Sequence, residues 1–396
     1  MTIGVNKSII WAMVARFAAI ALFFDGMEPL LPEIARSFSL KNHDFQKILG
    51  LSFSAFAAMQ LLSVYVIGQL GLYRCILFSS LAVSLSALLL CMARETYSLI
   101  IIFILMFAVN SIGSNATRIA LRNLTSDAEF KRYFSWANAI IQIKQILVPA
   151  VEGATAMVYG WRWALFVLVF PVVVVSLWLG SMDKDRMALL NIDQATVKLF
   201  AIQKLFKEKK TGLSRTILSL AAFHVCFAYT TAWFAFILAN DMAISVGSVG
   251  ILFSLASGLI ALSFLLSASL SARYSDEFIL AIGVGSMICA SLALFIGHGW
   301  LLIVGILLLY FSYGFITVPC TANIMNTELQ YRTLASAILG FTPPLAGGLS
   351  VLLLGFINYD VSPIVIMPYL IAIAALLIMM LMHFLTDVNK IGSPHP

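Results

Sequence analysis

Long apolar stretches recur along the whole chain and are separated by short polar connections. An α-helix needs ~20 apolar residues to cross the hydrocarbon core of a bilayer, and lipid offers the backbone no hydrogen-bonding partners outside the segment. The pattern therefore predicts an all-α membrane protein with twelve transmembrane helices. The predicted spans are 9–36, 46–70, 73–93, 96–122, 134–158, 163–181, 216–239, 248–271, 277–297, 300–326, 333–357 and 363–385.

The longest polar stretch, Ser181 to Arg215, lies between the sixth and seventh spans and holds eight Lys and Arg residues. Its apolar residues recur at helical spacing, so part of it either rests on the anionic inner leaflet or forms a solvated linker. Both alternatives separate two six-helix bundles. The predicted parts are an N-terminal bundle at 1–181, a cytoplasmic linker at 182–215 and a C-terminal bundle at 216–396.

The two halves share a proline–glycine interval. Pro149 and Gly153 stand four residues apart in span five, and Pro343 and Gly347 repeat that interval in span eleven. Together with Pro29, these residues are predicted to bend their helices. A parallel repeat of this kind is expected when a substrate binds near the membrane midplane between two related bundles.

Composition agrees with the pattern: 61% of the residues are apolar and 11% are charged, against roughly 45–50% and ~25% in soluble domains. The net charge of +6 does not indicate nucleic-acid binding, because the basic residues lie in loops between apolar runs. With the N-terminus inside, cytoplasmic segments hold 16 of the 24 Lys and Arg residues and outer loops hold 5. This bias predicts a multi-pass protein of the inner membrane with both termini cytoplasmic.

Several classes of function are disfavoured. The first apolar run lacks a small-residue cleavage site and continues into Asp25 and Pro29, so it is expected to be retained. The five cysteines show no paired spacing, so no metal or disulfide framework is predicted. The chain has no catalytic constellation and no phosphate-cradling loop, which predicts neither an enzyme nor a cofactor. The expected partners are a small-molecule substrate, protons and the bilayer, with the chain as a monomer.

Ionisable residues inside spans are functional candidates, because a charge at the bilayer centre costs about 2.5–3.5 kcal/mol. Six such residues are present: Arg16, Asp25, Glu28, Arg118, Lys144 and Glu152. All six lie in the first half of the chain, which is therefore expected to carry proton coupling and the recognition of a charged substrate.

Asp25 and Glu28 are three residues apart, on one helical face beside a bend expected at Gly26, Pro29 and Pro32. Neighbouring carboxyl groups held out of bulk water can take up and release protons, so both are predicted to couple transport to protons. The alternative is that either carboxyl reaches the outer headgroup region or pairs with a cation.

Arg118 ends a run of small and polar residues that would let its helix line a wet cavity. Its guanidinium fork could hold a carboxylate or phosphate, or it could form an ion pair at the inner mouth. Lys144 and Glu152 are eight residues apart and share a helix face. His224 is weighed mainly as a packing residue. The residues predicted for substrate binding or gating are Arg16, Arg118, Lys144, Glu152, Asn110, Asn115, Tyr229, Trp233 and Asn323.

Span one reads Asp25-Gly-Met-Glu-Pro29-Leu-Leu-Pro32-Glu-Ile-Ala35. This resembles the Asp-x-x-x-Pro-x-x-Pro-x-Ile-Ala signature of the bicyclomycin/chloramphenicol resistance (Bcr/CflA-like) branch of the major facilitator superfamily. Further residues are similar to the span-four and span-five patterns of that branch. They are Gly113, Arg118, Ala120, Arg122, Leu124, Pro149, Gly153, Gly160, Trp161 and Arg162.

The resemblance implies a major facilitator fold and efflux of a drug-like compound or polar metabolite in exchange for protons, with Asp25 as the coupling group. The chain departs from the branch at Asn123, where an Asp is usual, and its loop between spans two and three lacks the usual Asp. Span five gains Lys144 and Glu152, where the branch usually carries small or apolar residues. Because multidrug sites are typically apolar and aromatic, this more polar interior favours a hydrophilic anion or zwitterion over a lipophilic cation. Proton-linked uptake or export of a nutrient or siderophore remains the alternative, and a non-transporting receptor ranks last.

Overall fold

The computed structural model describes residues 7–123, 141, 146–182, 212–271, 273–297, 299–325, 332–357 and 363–391. Every regular element within these ranges is helical. Eleven of the described helical stretches are long and apolar enough to cross a membrane, and a shorter apolar helix (Ile146–Tyr159) corresponds to the fifth span. The prediction of an all-α membrane protein is confirmed.

In the first half, α1 (Lys7–Gly26) is followed by a 3-10 turn (Glu28–Leu30) and by the short α2 (Leu31–Ser37). The remaining helices are longer. They are α3 (Asn42–Leu70), α4 (Leu72–Met92), α5 (Thr96–Asn123), α6 (Ile146–Tyr159) and α7 (Trp161–Gly180).

The second half begins with α8 (Gly212–Phe236), which continues into a π-helical segment (Ile237–Asp241). Five more helices follow. They are α9 (Val246–Ser271), α10 (Asp276–Ile296), α11 (Trp300–Met325), α12 (Arg332–Ile357) and α13 (Pro363–Ile391).

Two of the connections consist of a single glycine. Gly71 (φ 81°) joins α3 to α4, and Gly160 (φ 83°) joins α6 to α7. A positive φ with an extended ψ is open to glycine and strained for other residues. These glycines let one helix end and the next begin within a single residue.

The chain forms two compact units. Unit 1 comprises Met1–Thr196 and Leu238–Leu255, and unit 2 comprises Val197–Ile237 and Ala256–Pro396. In unit 1, α5 packs on α3 and α4, and α7 packs on α1 and α4. In unit 2, α8 packs on α12 and α13, and α10 packs on α11 and α13. The division of the sequence at 181 and 216 stays a prediction.

Within unit 1, α6 packs closely against the first turns of α9. A Cβ placed on Gly153 would lie 2.7 Å from the Val246 carbonyl oxygen, and one on Gly250 would overlap the Pro149 carbonyl oxygen. The backbone N–H of Ala150 donates to Ser254 Oγ at 3.1 Å. Small residues allow membrane helices to approach this closely, and the close approach supplies the packing energy that lipid cannot.

This contact makes Gly250 sensitive to a single methyl group. Gly250→Ala should lower the free energy of unfolding by about 1–3 kcal/mol, because the Cβ can be placed only by moving backbone atoms. Thermal unfolding of the purified protein in detergent measures the effect. The control is Gly285→Ala on α10, where a Cβ meets no atom within 4 Å. Equal melting temperatures for the two variants would contradict the packing described.

Candidate functional site

The polar residues of α5 lie opposite its lipid-facing side. Ile101 and Leu105 are 57% and 53% exposed. Asn110 follows Ile101 by nine residues, which is two and a half helical turns and places it on the opposite face. Ser114 and Arg118 continue that row at four-residue intervals, and Ser114 Oγ donates to Asn110 Oδ1 at 3.1 Å. The row therefore faces away from lipid.

A second row on α5 is bonded to α3. Asn115 Nδ2 donates to Ser63 Oγ at 2.7 Å. The side-chain amide of Gln60 is satisfied when its oxygen accepts from Arg118 Nη2 and its nitrogen lies 2.9 Å from Ser111 Oγ. Gln60 is 1% exposed and Ser63 and Ser111 are fully buried, so this part of the network is shielded from water and lipid. Its effect is to hold the Arg118 guanidinium on the inner side of α5.

Arg16 on α1 is also deeply buried, at 1% exposure, and all of its described partners are hydroxyl groups. Its Nε donates to Ser80 Oγ at 2.7 Å, Nη1 to Thr117 Oγ1 at 2.8 Å and Nη2 to Ser79 Oγ at 3.1 Å. A Cβ on Gly113 of α5 would overlap Arg16 Nη2, so the glycine provides the space that the guanidinium occupies. One side chain thus ties α1 to α4 and α5.

The guanidinium groups of Arg16 and Arg118 differ in how many of their hydrogen-bond donors have an acceptor. Among the described residues, no carboxylate lies within 4.0 Å of either, the ion pairs there being His43–Asp44 and Lys47–Asp44. Each of the three Arg16 nitrogens has a hydroxyl acceptor, whereas Arg118 Nε has no hydrogen-bonding partner in the described part of the chain. A guanidinium presents five N–H donors in a fork that matches a carboxylate or phosphate. Arg118 is therefore the one with capacity left for an anion.

The predicted acidic residues lie on other elements of unit 1. Asp25 is half-buried near the end of α1, and Glu28 is half-buried beside Pro29 in the 3-10 turn. Glu152 on α6 is 2% exposed, and its Oε2 has no partner among the described residues. Lys144 lies outside the described residues, so the prediction that it shares a helix face with Glu152 stays a prediction.

The predicted residues of unit 2 are spread over three helices. Tyr229 and Trp233 are buried on α8 with ring centroids 6.2 Å apart. Asn323 is exposed near the end of α11. On α12, which contains Pro343, a Cβ on Gly347 would lie 2.6 Å from Ala228 Cβ of α8. The grouping of these residues into one binding site therefore stays a prediction.

His224 lies in an aromatic environment on α8. Its Nδ1 is 2.8 Å from the Leu220 carbonyl oxygen, and its ring packs edge-on against Phe223 and Tyr313. These contacts agree with the interpretation of His224 as a packing residue.

Sequence reasoning did not single out Gln60, Ser79 or Ser80, which hold the two arginines. Gln60 could have been flagged as an uncharged polar residue within an apolar span. The serines carry no such signal, because a serine in a helix can bond its own backbone, as both do to the Ile76 carbonyl oxygen.

Buried arginines within a bundle of apolar helices define a polytopic membrane protein with a polar interior. Residues 13–351 match the family model of the Major Facilitator Superfamily, which is more than half of the chain. The chain therefore belongs to that superfamily, and transport rather than enzymatic catalysis is the activity that the family indicates. No curated protein sequence matches the chain at a significant level.

Solved structures share the fold at low sequence identity. The nucleoside transporter NupG aligns with a TM-score of 0.73 at 14% identity, over 97% of this chain and 99% of its own. A peptide transporter POT aligns at 0.72 and 12% identity, over 96% and 95%. A bacterial homolog to the human lysosomal transporter Spinster aligns at 0.72 and 15% identity, over 96% and 98%. At these identities the likeness concerns the fold alone.

The hydroxyl contacts of Arg16 yield a stability prediction. Thr117→Val keeps the side-chain shape but leaves Nη1 of a buried cation without its acceptor, so the free energy of unfolding should fall by about 1–3 kcal/mol. Thermal unfolding in detergent is the measurement. Thr155→Val is the matched control, because the exposed Thr155 hydroxyl bonds the Val151 carbonyl oxygen of its own helix and no other group among the described residues. If Thr155→Val lowered the free energy of unfolding as much as Thr117→Val, that result would contradict the role of the Arg16 contact.

Proposed function

We propose that the chain is a proton-coupled secondary active transporter that moves a small molecule bearing an anionic group across the inner membrane by alternating access. Membership of the superfamily supports secondary transport. The proposed direction is export, since the motifs of span one resemble those of drug:proton antiporters. The proposed cargo is a drug-like compound or polar metabolite.

The substrate class rests on Arg118. This guanidinium is half-buried on the inner face of α5, with Gln60 as its acceptor and its Nε unpartnered among the described residues. A cation out of water is stabilised by an opposite charge. A carboxylate or phosphate of the substrate can supply that charge. Ser114 and Asn110, one and two turns away, can accept or donate hydrogen bonds. A hydrophilic anion or zwitterion meets these requirements better than a lipophilic cation.

The coupling proton is assigned to Asp25, with Glu28 as its neighbour. The regular α-helix stops at Gly26 between them, and Glu28 begins a 3-10 turn that contains Pro29. An interrupted helix exposes backbone groups that have to be satisfied within a cavity, which is where membrane transporters place their coupling ions. Proton-linked import of a nutrient or siderophore uses the same groups and is the second candidate.

The Arg118 assignment predicts a selective loss of binding. In a thermal-shift screen of purified protein against carboxylates, phosphates, zwitterions and lipophilic cations, an anionic or zwitterionic class should stabilise the wild type. Arg118→Gln should weaken binding by at least about tenfold, because a charge-assisted contact contributes about 1.5–3 kcal/mol. Arg118→Lys should retain part of the binding affinity, because it keeps the positive charge.

Arg74→Gln is the matched control, because Arg74 is exposed at the start of α4. Stabilisation by lipophilic cations alone, or equal binding by Arg118→Gln and wild type, would contradict the proposed substrate class.

The Asp25 assignment predicts a loss of coupling without loss of folding. In proteoliposomes with an imposed pH gradient, Asp25→Asn should abolish proton-driven flux of the ligand found above, since an amide cannot carry the proton. Glu28→Gln should reduce it. Vesicles of both orientations distinguish export from import, and an unchanged melting temperature shows that the variant is folded. Undiminished pH-driven flux through Asp25→Asn would overturn the assignment.

A further inference from the structure

Glu152 occupies a position on α6 between two helix contacts of unit 1. On one side, a Cβ on Gly26 of α1 would lie 2.7 Å from Val148 Cγ1. On the other side, Pro149 and Gly153 meet the first turns of α9. Glu152 follows Val148 by four residues and Pro149 by three, so the helical geometry places it on the surface between these contacts.

The carboxyl group is enclosed at this position. Glu152 is 2% exposed, its Oε2 has no hydrogen-bonding partner, and no basic group lies within 4.0 Å of it in the part of the chain that the structure describes. An ionised carboxylate would have neither water nor a cation to stabilise it there, whereas a protonated carboxyl carries no such cost. The closed arrangement therefore fits the neutral form.

The charged groups on the neighbouring helices are engaged elsewhere or carry the same sign. Arg16 of α1 is held by three hydroxyls. Arg162, at the start of α7, donates to the Ala93 carbonyl oxygen at 3.1 Å. Asp25 and Glu28 are acidic, and residues 246–255 of α9 hold no ionisable side chain. The remaining basic residue of α1 is Lys7, at the opposite end of that helix from Gly26. Within the described residues, these helices thus place no unengaged basic group beside Glu152.

The adjoining contact leaves no room for water. The Cβ that Gly250 lacks would overlap the Pro149 carbonyl oxygen, and the one that Gly153 lacks would lie 3.1 Å from Gly250 Cα. Solvation of a charge beside such a contact requires α6 and α9 to separate. Packing of these helices and protonation of Glu152 are therefore linked.

We propose that Glu152 is a proton-binding site that controls the packing of α6 against α9. With the proton bound, the two helices close over a neutral carboxyl. When the proton leaves, the carboxylate draws in water and the helices part. This deepens the proposed function by adding a second proton site to Asp25 and rests on it for any role in transport, but the proton-dependent helix contact can be measured whether or not the chain transports.

The experiment measures the distance between α6 and α9 directly. The five cysteines are replaced, and spin labels are attached at Val158→Cys and Ile251→Cys, two positions that are 66% and 55% exposed. Pulsed electron resonance in lipid nanodiscs then reports the label distance over a pH series. In the wild type the distance should lengthen as pH rises, and in Glu152→Gln it should stay short throughout.

Further variants separate the possible causes. Glu152→Asp should retain a transition with a changed midpoint, since it keeps a titratable group. Lys144→Met should leave the transition in place, and its disappearance would show that a Lys144 ion pair, and not proton binding, controls the contact. A wild-type distance that does not change with pH, or a transition that persists in Glu152→Gln, would overturn the proposal.

The outcomes also separate this inference from the proposed function. Asp25→Asn should lose proton-driven flux but keep the distance transition. A distance transition in a wild type that shows no flux with any solute would overturn the proposed function and support the proton site. Proton-driven flux in a wild type whose label distance does not change with pH would support the proposed function and overturn the proton site at Glu152.

Discussion

The packing of unit 1 has to provide hydrogen-bond acceptors for a buried guanidinium, because lipid offers none. Arg16 reaches across from α1 to hydroxyls on α4 and α5, and Gly113 leaves the space for it. Each bond to a charged group contributes about 1.5–3 kcal/mol, and three together offset much of the cost of removing the charge from water. The same contacts fix the rotation of α5 about its axis. That rotation turns Asn110, Ser114 and Arg118 away from lipid.

The choice of neutral acceptors has an electrostatic consequence. A carboxylate beside Arg16 would cancel its charge, whereas serine and threonine hydroxyls satisfy the donors and leave the positive charge in place. Arg118 is held in the same way by the neutral amide of Gln60. The interior of unit 1 therefore combines two positive groups with acceptors that do not neutralise them. Of the two, Arg118 has a donor, Nε, without a partner among the described residues, which is why we assign the ligand to Arg118 and a positioning role to Arg16.

The sequence predicts the helices well and the contacts between them poorly. Hydropathy and span length locate the helices because the bilayer imposes a minimum apolar length, and α1 stops at Gly26, just before Pro29, because proline cannot continue the backbone ladder. The partners of Arg16 depend on which faces of α1, α4 and α5 meet, and periodicity does not determine this. Pro149 and Gly153 illustrate the same limit. Their interval suggested a repeat and a bend, but their contact with Gly250 emerges only when α6 and α9 are placed together.

Arg118 and Glu152 each keep a buried atom of an ionisable side chain unsatisfied among the described residues. Arg118 Nε is a donor without an acceptor, and Glu152 Oε2 is an oxygen without a donor. Leaving a buried polar atom unsatisfied costs about 1–3 kcal/mol. In the roles that we propose, a partner removes that cost when it binds: an anion at Arg118 and a proton at Glu152. One unit would then hold a site of each kind, which is the arrangement that coupled transport requires.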